Sequence, residues 1–439
     1  MASTLISPYP DSDPGPSFPP LSAPPDRLSL NALSAPFFPP FPLSHLFPCL
    51  AMSASEPSPT LASKPHYELL DGLRGVAALL VVIYHVFEGI DAVANNGAVI
   101  SVLNHGYLAV DFFFMLSGFV MSYAYDDRLG RGMSTGAFFL RRLVRLHPMM
   151  IIAACIGLLS FGIQNAMAAE GAAAPWSMVA MAFFCACLFV PAWPGAGFDV
   201  RGNGEIFPLN GPAWSLFFEY LANVVYGLLL FRLPTRVLAL LVALLGAGLC
   251  WYALSDASGY GMISVGWTFA GTNVPGALLR LFFPFTAGML MARLYRPAPG
   301  GLRRRGGFEW GCLLLPLLFA VPALPAWRGL HINGLYEFAC IALAFPCVLL
   351  AGASSRPSFA WSASLCRVLG RLSYPLYAVH SPIMYLFYAW LLATGVRAWA
   401  DAWPAVLLVV TASLLLAWLC SALWDEPIRR FLRRKLRIR

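Results

Sequence analysis

The sequence predicts an all-α, polytopic membrane helix bundle: about ten transmembrane helices, plus one short apolar segment that is re-entrant or lies along the surface. Three observations predict it. Of 439 residues, 59% are hydrophobic and only 11% charged, against roughly 25% charged in soluble domains. Mean hydropathy is +0.68. From Leu70 onward, apolar runs long enough to span a bilayer alternate with short polar breaks.

The elements follow in chain order. The first fifty residues hold 13 of the 36 prolines, as in "SPYPDSDPGPSFPPLSAPP". Proline cannot propagate a helix, so residues 1–65 are expected to be disordered. They lack the basic start and unbroken apolar core of a signal peptide. Met52 opens a more ordinary lead-in, "MSASEPSPTLASKPHYELLDGLRG", and we expect the native start at or near it. The membrane domain covers 66–431 and a basic tail covers 432–439. Spans are expected near 72–92, 106–126, 138–162, 212–231, 236–254, 274–295, 309–325, 334–352, 372–394 and 404–424.

One further run, 176–191, is bounded by Pro175 and Pro191 and is short for a crossing. Charge decides how to treat it. With this run left out and the N-terminus inside, the loops holding Arg128, Arg131, Arg232, Arg236, Arg303 to Arg305 and Arg356 to Arg371 all fall on one side with the C-terminal tail. The other side keeps Arg201, Arg328 and Arg397. Counting 176–191 as a crossing inverts every later loop. The positive-inside rule therefore predicts ten spans with both termini cytoplasmic, in a plasma (inner) membrane.

Net charge is +8, but the basic residues cluster between apolar runs, as in "LRRLVR" and "RRFLRRKLRIR". That pattern excludes nucleic acid as a partner and points to the bilayer. Ten cysteines are scattered singly, except Cys185 and Cys187, which a helix faces apart. No metal spacing occurs, and small buried hydrophobes are the expected reading.

The stretch "LDGLRGVAALLVVIYH" (70–85) keeps two ionisable groups in hydrocarbon. Eleven residues turn a helix through about 1,100°, so Arg74 and His85 share one face, about 16 Å apart along the axis. Asp71 lies close to the same stripe. A charge at that depth costs roughly 2–3 kcal/mol and marks a functional candidate. Imidazole suits proton removal from a hydroxyl near neutral pH; a helix–helix hydrogen bond is the alternative.

Six blocks then carry a resemblance. They are "LDGLRGVAALLVVIYHV", "GYLAVDFFFMLSGFVMSYAY", "FFLRRLVRLHPM", "NGPAWSLFFEYLANVVYG", "LGRLSYPLYAVHSPI" and "WDEPIRRF". In this order the chain resembles the acyltransferase-3 family, integral membrane enzymes that O-acylate extracytoplasmic glycans. The resemblance implies His85 as the catalytic residue with Arg74 supporting it. It implies Arg141, Arg142 and Arg145 as acyl-CoA donor-binding residues, at a mouth where guanidinium forks meet phosphate; positive-inside anchoring is the alternative.

Asp111 and Ser117 match a second block, in which Asp111 is a candidate for fixing the His85 tautomer or contacting an acceptor hydroxyl. Gly118 is read as a close helix contact. Trp214, at the membrane boundary, is an acceptor-side candidate or an aromatic-belt anchor. Glu219 needs a partner inside its apolar run, and Arg280 is the candidate. Ser373, Tyr377 and His380 fall on one helix face and are read as cavity-lining. The loop 255–273 is expected on the acceptor side.

The expected function is transfer of an acyl group, acetyl by resemblance, from cytoplasmic acyl-CoA to a hydroxyl of an extracytoplasmic carbohydrate or glycoconjugate. His85 would serve as general base or carry the acyl group as an acyl-imidazole. Acyl-CoA is a co-substrate, and no permanently bound cofactor or metal is expected. A proton-coupled permease or exporter without acyl-transfer chemistry is the alternative. Many bacterial members carry a soluble hydrolase-like domain after the membrane part. This sequence reaches Arg439 just past the last span, so delivery alone or through a separate partner is expected.

Overall fold

The computed structural model describes residues 67–95, 102–167, 173–193, 198–295 and 304–438. The Pro-rich segment 1–65 and the start expected near Met52 lie outside the described residues. The described chain is almost wholly helical: α1 (Glu68–Asn95), α2 (Ala109–Gly130), α3 (Thr135–Ala166), α4 (Trp176–Leu188), α5 (Ala213–Leu228), α6 (Thr235–Leu254), α7 (Asn273–Leu294), α8 (Gly307–Phe319), α9 (Ile332–Ala339), α10 (Phe345–Ser354), α11 (Ala360–Thr394), α12 (Trp399–Cys420) and α13 (Glu426–Lys435). One π-helical turn (Cys340–Ala344) joins α9 to α10, and another (Ser421–Asp425) joins α12 to α13. α13 thus runs into the basic tail. Two short strands, β1 (Arg304–Arg305) and β2 (Ser355–Arg356), pair in parallel.

Each of the ten expected spans contains a helix, and among the described residues eight helical stretches are long and apolar enough by themselves to cross a membrane. The runs at 212–231 and 309–325 are the two expected spans that fall outside those eight. They form α5, of 16 residues, and α8, of 13, below the usual crossing length of about 17–25. α8 stops at Phe319 because Pro322 and Pro325 follow, and a residue before proline is pushed out of the helical region.

Helix directions decide the 176–191 segment. α3 and α5 run antiparallel: Phe138 packs beside Gly227, Arg142 meets Glu219 and Asn223, and Gly157 meets Leu209. The chain between them therefore returns to the end of α3 that it left. α4 packs there through Val179 and Ala182 against Phe161 and Leu209, and makes no net crossing. α1 and α11 run parallel, with Gly75 against Leu369, Arg74 on Ser373, and Gly89 against Tyr388.

Close approach needs glycine in these seams, since helix association in lipid relies on van der Waals contact. A Cβ on Gly118 of α2 would overlap the Phe285 carbonyl of α7, and one on Gly288 of α7 would overlap the Met115 carbonyl of α2. Gly118 is a packing residue, as expected.

Candidate active site

Two cavities lie along the α1–α11 pair. The first is about 160 Å³, room for on the order of ten water-sized positions. Its wall is built from α1, α11, the start of α5, and loop residues of 198–212 and 255–272. His85 lines it, with its side chain 23% exposed. His85 Nδ1 stands 2.6 Å from Glu88 Oε2, one turn further along α1. The carboxylate accepts the Nδ1 proton, which leaves the lone pair on Nε2. Tyr84 donates to Glu88 Oε1 at 3.1 Å, and Tyr388 donates to the His85 carbonyl at 2.7 Å.

The His380 ring of α11 stacks on His85, centroids 5.3 Å apart at 27°. Its Nδ1 donates to the carbonyl of Tyr377 at 2.9 Å, and Leu376 lies at 3.2 Å. His380 is fully buried and its Nε2 meets no partner among the described residues. It packs the back of the His85 ring.

Aromatic faces dominate the rest of the wall: Trp214, Trp267, Tyr107, Tyr377, Tyr385 and Tyr388. Ser264 and Trp267 come from the 255–273 loop. Asn203, Glu205 and Ser381 add polar edges. Glu205 Oε2 accepts from the Tyr385 hydroxyl at 2.8 Å. Burial pushes the Glu205 carboxyl above its ordinary value, opposed by nearby Arg201 and by the Tyr385 and Asn203 hydrogen bonds.

The second cavity, about 470 Å³, opens at the arginine-rich end. Seven arginines line it: Arg74, Arg145, Arg367, Arg371, Arg429, Arg430 and Arg433. Only four carboxylates do, from Glu68, Asp71, Asp425 and Glu426. Arg74 Nε donates to Ser373 Oγ at 2.9 Å, and its Nη2 lies 3.7 Å from Asp71. The π-helical turn before α13 aims Asp425 here, where it pairs with Arg429 at 2.7 Å. Arg429 Nε is buried with no partner among the described residues. A surplus of guanidinium groups around a roomy cavity suits a phosphate-bearing ligand.

The structure sorts the residues picked out from sequence. Arg74 and His85 do share a face of α1, one reaching each cavity. Of the three donor candidates, Arg145 lines the arginine cavity, and Arg141 and Arg142 do not. Arg142 Nη2 pairs with Glu219 at 3.2 Å and its Nε donates to Asn223 at 3.0 Å; Arg141 donates to the Ala137 carbonyl at 3.3 Å.

Glu219 therefore does not pair with Arg280, the partner that the sequence suggested. Its partners are Arg142 and Ser117, whose hydroxyl donates at 3.2 Å. Arg280 instead grips Asp111 with two hydrogen bonds, 3.1 and 2.6 Å, and both side chains are essentially inaccessible. Asp111 is thus engaged away from His85, and Glu88 holds the position Asp111 was a candidate for. Burial explains the change: a desolvated carboxylate and guanidinium must find each other. Trp214 lines the first cavity, the distal one from the arginines, with the Arg280 guanidinium 5.6 Å from its ring, and Tyr377 lines it too, its hydroxyl 2.6 Å from Ser215 Oγ.

Sequence reasoning missed Glu88, Tyr388, Glu205 and Arg429. The signal for Glu88 was present: a second ionisable group one turn after His85 on the same helix. Arg429 lies in the quoted block "WDEPIRRF", but only the tertiary fold returns that block to α1.

A family model described as an acyltransferase domain matches residues 67–422. "Protein 2 in picA locus" of Rhizobium radiobacter is 38% identical over 168 residues, covering 36% of this chain and 80% of that protein. No solved structure matches at a significant level.

Proposed function

The chain belongs to the acyltransferase-3 family and is an integral membrane acyltransferase, and from that premise we propose that it moves an acetyl group from acyl-CoA to a hydroxyl of a carbohydrate or glycoconjugate. A permease without acyl-transfer chemistry gives way to this membership. The observation that carries the proposal is the His85–Glu88 pair on the wall of a cavity lined by aromatic rings and carboxylates, joined by α1 to an arginine-lined cavity at the other end. The arginine-rich end and both termini are taken as cytoplasmic in a plasma (inner) membrane, which the positive-inside rule supports.

The 3′-phosphate and pyrophosphate of acyl-CoA would meet Arg74, Arg145 and Arg429. The pantetheine arm would run alongside α1, over the roughly 16 Å from Arg74 to His85. In the distal cavity an acceptor hydroxyl gives its proton to His85 Nε2 as its oxygen attacks the thioester carbonyl. The C–S bond breaks, and the imidazolium returns the proton to the CoA thiolate. Glu88 stabilises the imidazolium meanwhile. An acyl-imidazole route would use the same Nε2 lone pair as its nucleophile.

The test is acceptor-dependent CoA release from acetyl-CoA by protein in proteoliposomes. His85→Ala at normal protein level should abolish it; unchanged release overturns the assignment.

A further inference from the structure

The two cavities carry opposite charge. Against the arginine surplus at one end, the His85 cavity is lined by two carboxylates, Glu88 and Glu205, and by no Lys or Arg among the described residues. Two arginines come near without lining the cavity: Arg201 stands behind Tyr385, with its buried Nη2 unpartnered among the described residues and its charge offset by Glu205, and Arg280 is paired with Asp111. Arg201 lies 3.6 Å from the Tyr385 ring centroid and donates to the Pro208 carbonyl at 2.5 Å and Gln164 Oε1 at 3.2 Å. Arg280 is held by Asp111 and by the carbonyls of Val265 and Tyr107.

We propose that this cavity admits an uncharged or amine-bearing sugar ring and rejects one carrying a carboxylate, sulfate or phosphate, with Glu205 as the specificity-determining residue; this rests on the acyl-transfer reading above. An anion brought into a half-enclosed site loses hydration and finds no cation on the cavity wall, while the nearest guanidinium, Arg201, already faces Glu205. Beside Glu205, whose carboxyl burial already biases towards the neutral form, a second anion adds repulsion or forces proton uptake. A neutral ring suffers neither penalty. Its hydroxyls donate to Glu205 and Asn203, and its apolar face can lie on Trp214 or Trp267. An ammonium group gains both a carboxylate and aromatic faces.

The probes are three methyl glycosides of one ring shape: methyl β-D-glucoside, methyl β-D-glucosaminide and methyl β-D-glucuronide. Binding to the full-length protein in detergent is measured by titration calorimetry, and CoA release from acetyl-CoA is followed in parallel. The glucoside and glucosaminide should bind at least tenfold more tightly than the glucuronide. Glu205→Gln should narrow that gap at least threefold, and Asn203→Lys, on a partly exposed loop, should narrow it further. Equal or tighter glucuronide binding by the unaltered protein, a gap unchanged in both variants, or no binding by the two favoured glycosides overturns the inference. Discrimination in binding without CoA release on any glycoside supports the cavity's selectivity and overturns the acyl-transfer reading instead.

Discussion

His85 and Glu88 stand one turn apart on α1 with Nδ1 and Oε2 separated by 2.6 Å. A carboxylate at that distance orients the ring and fixes Nδ1 as the nitrogen that bears the proton. Glu88→Gln keeps the shape and removes the charge, so kcat for acetyl transfer should fall about 10²-fold with little change in the KM for acetyl-CoA. Steady-state CoA release checks this; a loss under threefold would separate Glu88 from the chemistry.

Arg145 and Arg142 sit three residues apart and should behave differently. Arg145→Gln and Arg429→Gln, in the arginine cavity, should each raise the acetyl-CoA KM about tenfold, as loss of a charge-assisted contact predicts. Arg142→Gln removes the partner of Glu219 and should lower thermal stability instead, matched by Glu219→Gln. Paired KM and melting measurements distinguish the two classes.

Asp111 and Arg280 form a buried pair that α2 and α7 bring together. Removing one partner strands a charge, at about 3–5 kcal/mol. Asp111→Asn and Arg280→Met should each lower the melting temperature in detergent sharply, and the double variant should recover part of the loss. Additive losses would show the two residues acting separately.

Gly118 faces the Phe285 carbonyl across the α2–α7 seam. Gly118→Ala forces the helices apart and should cost about 1–3 kcal/mol of stability, the usual range for overpacking. Gly136, with open space around its Cα, is the control: Gly136→Ala should be tolerated.

The raised Glu205 carboxyl predicts a pH dependence. Its native form holds a proton above the ordinary value of 4.5, so the native state binds more protons than the unfolded one. The contribution of Glu205 to stability should then be fully present below pH 4.5 and be lost as pH rises through the raised native value. Glu205→Gln should flatten that part of the melting-temperature profile.

Sequence alone determined the helical membrane fold, the shared face of Arg74 and His85, and the failure of 176–191 to cross. Each follows from local rules: apolar length, 3.6-residue periodicity and charge asymmetry between loops. Tertiary structure decided the partners. Asp111 and Glu219 are both carboxylates in apolar runs, and nothing in their own segments says which arginine each will meet. Arg280 and Arg142 are brought to them by helices more than seventy residues away, because desolvated charges pair with whatever counter-charge the packing presents. The gathering of Arg429 with Arg74, and of Glu205 with His85, was likewise fixed by helix packing and loop closure rather than by any local pattern.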